Sequence, residues 1–204
     1  MGAQRLRGLP RERVPDDHDF LTRWELEATV EEVYDIIADA GRLSEWWPAV
    51  CLEARVLEPG DERGVGRVVA LHTKGCLPCS LRWRFRVVDA QRPARLALEA
   101  TGDLAGLGLW TFEPAGRGAV VRFHWSLRAE KALLRSFSFL LRPVSRANHR
   151  WAMSAGYTSL LLEVWRRRAR TDDARAWLPR PPRPTFPHNM PWYRSRRSTQ
   201  TRRG

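Results

Sequence analysis

The sequence predicts an α+β fold, with a curved antiparallel sheet of about seven strands wrapped on one long C-terminal helix and two short helices after the first strand. Two alternations and one change of period carry that prediction. Leu81, Trp83, Phe85 and Val87 alternate with Arg82, Arg84 and Arg86, the period of a strand with one dry face and one wet face. Val121, Phe123, Trp125 and Leu127 repeat the pattern, after which the period becomes helical and runs to about Arg168. A curved sheet closed by a helix leaves space for an apolar ligand between the two.

The elements follow in order. Residues 1–17 carry arginines and prolines with little periodicity and are expected to form a flexible arm. The domain is placed at 18–168. Phe20, Thr22, Trp24 and Leu26 alternate with Leu21, Arg23, Glu25 and Glu27 as its first strand. Thr29 offers its hydroxyl to the amide of Glu32 or its neighbour, and Val33, Ile36 and Ile37 mark the buried stripe of a short helix that ends at Gly41. Leu43 to Pro48 form a second short helical turn. Strands are expected near 50–58, 64–73, 78–89, 94–101, 106–113 and 119–128. Between them, Pro59-Gly60-Asp61, Gln91-Arg92-Pro93 and Gly116-Arg117-Gly118 are reversals suited to antiparallel neighbours. Residues 132–143 form an amphipathic lead-in, and Pro143 separates it from the main helix because proline lacks the amide an interior turn requires. From Val144 to Arg168 that helix spans roughly 37 Å at about 1.5 Å per residue. Residues 169–204 mix arginines with six prolines, too little apolar area to offset the entropy of ordering, and are expected to be a disordered basic tail.

The formal net charge of +12 resembles a nucleic-acid signal until it is located. From Arg166 onward there are twelve arginines against Asp172 and Asp173, so the folded part is nearly neutral. Lys74 and Lys131 are the only lysines, which fits a coding bias as well as a selected phosphate-binding surface. Nucleic-acid binding is therefore not expected, and through the tail it would be non-specific and salt-sensitive. There is no run of about 20 apolar residues and no signal-peptide core or myristoylation pattern at the start, so a soluble cytoplasmic protein is expected. Cys51, Cys76 and Cys79 leave one cysteine over in any disulfide scheme. Cys76-Leu77-Pro78-Cys79 has redox or half-zinc spacing but opens no helix and has no second pair at finger spacing, so its expected role is structural or incidental. No metal or cofactor site is expected.

Four strings stand out: Trp24-Glu25-Leu26-Glu27-Ala28 before the first helix, Trp46-Trp47-Pro48 after it, Gly102-Asp103-Leu104-Ala105-Gly106 between two strands, and Asn148-His149-Arg150-Trp151-Ala152-Met153 in the last helix. With the order of elements, they resemble the START-like or SRPBCC superfamily, specifically its polyketide cyclase/dehydrase and lipid-transport group. The resemblance covers about residues 18–168 and implies a helix-grip fold. That superfamily hosts cyclases, dehydratases, lipid carriers and plain binding modules, so the fold does not settle the function. The Cys76/Cys79 pair and the basic tail depart from the family's pattern.

The strongest functional pointer is the set of inward-facing aromatic residues. Trp83, Trp110 and Trp125 come from three strands and share the concave face with Phe85 and Phe123, where flat rings suit flat apolar ligands. Trp46 and Trp47 are placed to cap one end of the groove, as a gate or as a staple on the sheet. On the last helix, a wheel drawn through Ala147, Trp151, Ala155, Thr158, Leu162 and Trp165 puts Asn148 near the buried stripe and His149 away from it. Asn148 is thus the better groove residue, or a partner for the backbone of a neighbouring strand or of the Pro143 kink. Ala152, Gly156 and Ser159 form a small-residue strip that either packs closely on the sheet or leaves room for ligand. Parity turns His124 and Glu99 outwards, and Asp103 lies in a turn where it is expected to accept backbone amides. His72, Tyr34 and Tyr157 complete the titratable candidates. No Ser-His-Asp set, phosphate loop or metal constellation is visible.

The expected function is binding of a hydrophobic small molecule, polyketide-like, aromatic or acyl, between sheet and helix. Ligand-binding residues are expected to be Trp83, Phe85, Trp110, Phe123, Trp125, Asn148, Ala152, Gly156, Trp46 and Trp47. The alternatives are an enzyme of the cyclase/aromatase type and a lipid carrier that docks on anionic membranes through Leu133, Phe137, Leu140, Leu141 and the basic tail.

Overall fold

The structure is a computed structural model and describes residues 18–129 and 138–190. Seven strands form one sheet in the order β1-β7-β6-β5-β4-β3-β2, with every neighbouring pair antiparallel. They are β1 (His18–Leu26), β2 (Cys51–Glu58), β3 (Val68–Lys74), β4 (Ser80–Gln91), β5 (Arg95–Gly102), β6 (Leu104–Ala115) and β7 (Gly118–Ala129). Helices α1 (Val30–Ala38) and α2 (Leu43–Trp46) follow β1, and α3 (Ser138–Arg168) follows β7.

The alternations place carbon on one face. Thr22, Phe123, Trp110 and Leu96 pair in one row across β1, β7, β6 and β5; Phe20, Trp125, Gly108, Leu98 and Val87 form the next, which reaches β4. Arg82, Arg84 and Arg86 lie on the opposite, exposed face. A bulge between Val87 and Asp89 reverses the parity of β4 near its end, which is why Ala90 is buried.

Helix α1 opens with a capping box. The Glu32 amide donates to Thr29 Oγ1 at 3.2 Å, and the Thr29 amide donates to Glu32 Oε2 at 2.8 Å. The same carboxylate takes a two-pronged guanidinium from the end of α3, with Arg168 Nε and Nη2 at 2.7 and 2.6 Å. That hydrogen bond is the main reason the Glu32 carboxyl is held down to about 2. It ties the last turn of the long helix to the first turn of the short one.

Helix α3 ends at Arg168 as expected but differs in its start and in the face it buries. It runs unbroken through Pro143 for 31 residues, or about 46 Å, so the lead-in and the main helix are one. Pro143 is the sixth residue of α3, in its second turn, so the helix forgoes one amide bond there and continues. The predicted wheel also had the wrong phase. Of its members only Leu162 is buried, and Trp165 is 49% exposed. The face turned to the sheet instead carries His149, Met153, Gly156, Leu160 and Val164, at spacings of four, three, four and four.

The tail also departs from expectation as far as Met190. Helix α4 (Asp172–Ala176) is capped by Thr171, whose hydroxyl accepts the Ala174 amide. Beyond it, Arg166 Nη2 donates to the Pro179 carbonyl and His188 is buried. Composition correctly denies this segment an apolar stripe. It docks through backbone carbonyls offered to the half-buried Arg166 and the buried Lys74, which composition does not reveal.

Candidate functional site

A cavity of about 350 Å³ lies between the concave face of the sheet and the first half of α3. Trp83, Phe85, Trp110, Phe123, Trp125, Trp46, Trp47, Asn148 and Ala152 all line it. The rings form a continuous chain: Trp83 to Trp125 at 5.7 Å between centroids, Trp125 to Phe123 at 5.3 Å, and Phe123 stacked on Trp110 at 4.0 Å. Gly108 makes this possible. It sits opposite Trp125 in register, and a Cβ there would lie 2.5 Å from the indole, so the ring occupies the space a side chain would fill.

Gly156 does not line the cavity. A Cβ at that position would fall 2.6 Å from Trp47, whose ring presses on the bare helix backbone. Trp47 in turn stacks on Trp46 at 5.5 Å and meets Trp24 edge-on at 6.4 Å. The indole N–H groups of Trp46 and Trp47 are inaccessible and have no acceptor, so these two residues present carbon to the cavity.

The polar groups collect at the end where α3 begins. Asn148 Oδ1 accepts the Cys76 amide at 2.8 Å and the Cys76 thiol at 3.3 Å, so it does hold backbone, but that of the loop after β3 and not of a strand or of the Pro143 turn. His149, predicted to face away, lines the cavity as well. Its ring stacks on Phe20 at 4.4 Å, and Nε2 lies 3.1 Å from Thr22 Oγ1. Burial lowers its pKa to about 4, so the imidazole is neutral at pH 7. The Trp83 indole donates to Thr73 Oγ1 at 2.8 Å. The arrangement offers a flat apolar ligand stacking partners along its length and neutral hydrogen-bonding groups at one end.

The other titratable candidates are elsewhere. Tyr34 packs edge-on against Phe112 in the core, and the Tyr157 hydroxyl donates to the Glu25 carbonyl. His124 and Glu99 are exposed, and Asp103 Oδ2 accepts the Arg82 amide. His72 is buried with its Nε2 at 2.8 Å from Ser80 Oγ. Cys76 and Cys79 are exposed free thiols, and no group of three metal-binding side chains exists among the described residues. Leu133 and Phe137 lie outside the described residues, as do the side chains of Leu140 and Leu141, and no described helix is long and apolar enough to cross a membrane.

Sequence reasoning missed His149, Thr22 and Gly108. The 4-3-4-4 spacing on α3 was the signal for the first, and the shared row with Phe123 for the second. Gly108 had none, because only the register shows which indole lies above it.

A family model described as polyketide cyclase / dehydrase and lipid transport matches residues 18–164. Among solved structures, TTHA0849 from Thermus thermophilus superposes with a TM-score of 0.60 at 17% identity, over 74% of this chain and 100% of that one. The Zhui aromatase/cyclase from Streptomyces sp. R1128 gives 0.58 at 18% identity, over 76% and 97%. The di-domain ARO/CYC StfQ from the steffimycin biosynthetic pathway gives 0.53 at 17%, over 68% and 48%. At these identities the likeness shows a shared helix-grip fold. No curated protein matches the chain. The matched span holds the whole sheet and nearly all of the long helix, and the chain belongs to the polyketide cyclase/dehydrase and lipid-transport family.

Proposed function

We propose that this domain binds a hydrophobic small molecule, polyketide-like, aromatic or acyl, in the cavity between the sheet and α3. The observation that carries the reading is open space of about 350 Å³ lined chiefly by carbon, within the size range of small-molecule sites. Covering about 300 Å² of apolar ligand surface supplies about 7 kcal/mol before association costs, less than the roughly 8 kcal/mol of micromolar binding, so ring stacking and the hydrogen-bonding groups at the polar end must add to it. Native mass spectrometry of protein purified from its own host tests the reading, since a co-purified ligand names the chemical class. A protein that carries no ligand and takes up no neutral aromatic probe overturns it.

A second reading, a cyclase or aromatase, is favoured by one observation. His149 reaches the cavity from α3 as a neutral imidazole beside the Thr22 hydroxyl, where it can donate or accept a proton from a polar group of the ligand. Two of the structural neighbours are aromatase/cyclases by name, which supports the same reading. Turnover of poly-β-ketone analogues that disappears in His149→Ala, while binding persists, is the expected result for an enzyme. Unchanged turnover in that variant removes His149 from the chemistry.

A further inference from the structure

We propose that residues 171–190 form a strap which holds the β3–β4 hairpin shut over the mouth of the cavity and so sets the rate of ligand release. The inference rests on the binding reading above, and goes beyond it to a segment outside the span matched by the family model.

The hairpin loop, residues 75–79, forms one lip of the mouth, with Gly75, Leu77 and Cys79 among the lining residues. The opposite lip is the start of α3, with Ser145, Asn148 and His149. The loop is held from both sides. On the helix side, Asn148 takes the Cys76 amide, and Gly75 packs so closely that a Cβ there would lie 1.9 Å from Asn148 Oδ1.

On the outer side stands Lys74, the last residue of β3, which is 3% exposed. Its ammonium donates to the Thr185 carbonyl at 3.0 Å, to Thr185 Oγ1 at 2.6 Å and to the Phe186 carbonyl at 2.9 Å. Thr185 Oγ1 in turn donates towards the Gly75 and Cys76 carbonyls at 3.3 and 3.4 Å. An ammonium has three protons, and all three are taken by this short stretch of tail. Undocking the strap exchanges three charge-assisted hydrogen bonds for bonds to water in one step, so the clamp opens rarely. Farther along, the His188 ring meets His72 edge-on at 6.3 Å, which lays the strap across the neighbouring part of β3.

A ligand enclosed by Trp83 and Trp125 leaves past this loop. The loop lifts from Asn148 only if its outer face lets go of Thr185. Release of the ligand and undocking of the strap are therefore one event.

The experiment uses the full chain, Lys74→Met and Thr185→Val, with N-phenyl-1-naphthylamine as a neutral apolar probe. Hydrogen exchange reads the Cys76 amide, and stopped-flow fluorescence reads probe release. Both variants are expected to exchange Cys76 at least tenfold faster than wild type and to release the probe at least fivefold faster. Thr185→Val keeps the buried lysine and guards against a folding defect in Lys74→Met. Faster exchange with unchanged release overturns the gate, and unchanged exchange overturns the clamp. A wild type that takes up no probe defeats the cavity reading itself, and the gate with it, which is distinct from a wild type that binds but releases at the variants' rate.

Discussion

The two halves of α3 face the same sheet and do opposite things to it. From Gly156 onward the helix lies on a packed core: Leu160 is fully buried, Val164 nearly so, and the Trp47 ring fills the notch at Gly156. From Ser145 to Met153 it stands over open space lined by Trp83, Phe123 and Trp125. The sheet supplies tryptophan, phenylalanine and leucine to both halves, so residue type does not distinguish core from cavity. The difference lies in what the helix brings. The packed half presents Leu160 and Val164 with Trp47 wedged at Gly156, while the other presents Asn148, which bonds the Cys76 amide, His149, which stacks only on Phe20 of the edge strand, and the small Ala152, so Trp83, Phe123 and Trp125 border open space. Aromatic side chains thus border open space only where the opposing element stops short of them.

The largest way to break the comparison is to remove a side chain from each half. Leu160→Ala is expected to cost about 3–4 kcal/mol, because a fully buried leucine leaves a cavity that the surrounding side chains cannot close. Binding of the probe stays within a factor of two for the folded fraction. Trp125→Ala is expected to cost less, about 2–3 kcal/mol, since part of its ring borders open space and has fewer contacts to lose. It weakens probe binding at least tenfold. Denaturant melts and probe titrations on both variants decide: if Trp125→Ala is the more destabilising and leaves binding alone, the first half of the helix covers core, not a site.

The His149 imidazole sharpens the comparison through pH. Its folded pKa is lowered to about 4 by burial, against about 6.5 when unfolded. Between those values the unfolded chain binds more protons than the folded one, so stability rises with pH across that window. The contribution is complete above about pH 6.5 and is lost as pH falls towards 4. The ring is only partly buried, so solvent reduces the effect to about 1–2 kcal/mol. Melts at pH 4.5 and 7 are expected to differ by that much more in wild type than in His149→Gln. Equal differences show that the imidazole is solvated and that the mouth is wet. The Glu32 carboxyl, held down to about 2 by Arg168, adds a loss of the same sign in a lower window, below about pH 4.5.

The strands, the Thr29 hydroxyl cap of α1 and the direction of each inward ring were legible because they depend on periods of two residues or on local bonds. The order of elements along the chain and the long C-terminal helix followed from the same periods and the family resemblance. The site was legible on the strands and less so on α3. There the reading followed the bulky Trp151 and Trp165, although a glycine, a histidine and a methionine mark the inner face. Size misled because Trp165 lies half-exposed and Gly156 is buried by a tryptophan from another element. The docked tail was illegible for a related reason. Its anchor is Lys74, more than a hundred residues away, and carbonyl groups that every residue possesses.

The smallest effect discriminates most finely, because it compares two positions one helical turn apart. Ala152 and Gly156 stand on the same side of α3, and the sequence offered both as a strip for close packing or for ligand. Gly156→Ala drives a methyl group to within 2.6 Å of the Trp47 ring. The gain in helix propensity, about 1 kcal/mol, offsets only part of that overpacking, so a net loss of about 1 kcal/mol is expected. Probe binding changes little. Ala152→Leu adds a larger group at a position that faces open space, so it leaves the melting midpoint nearly unchanged. Its isobutyl chain takes up volume that a ligand needs, and the probe's affinity drops at least tenfold. If Ala152→Leu is the more destabilising of the two, the space above it is already filled, and the division of the helix into a packed half and an open half is lost.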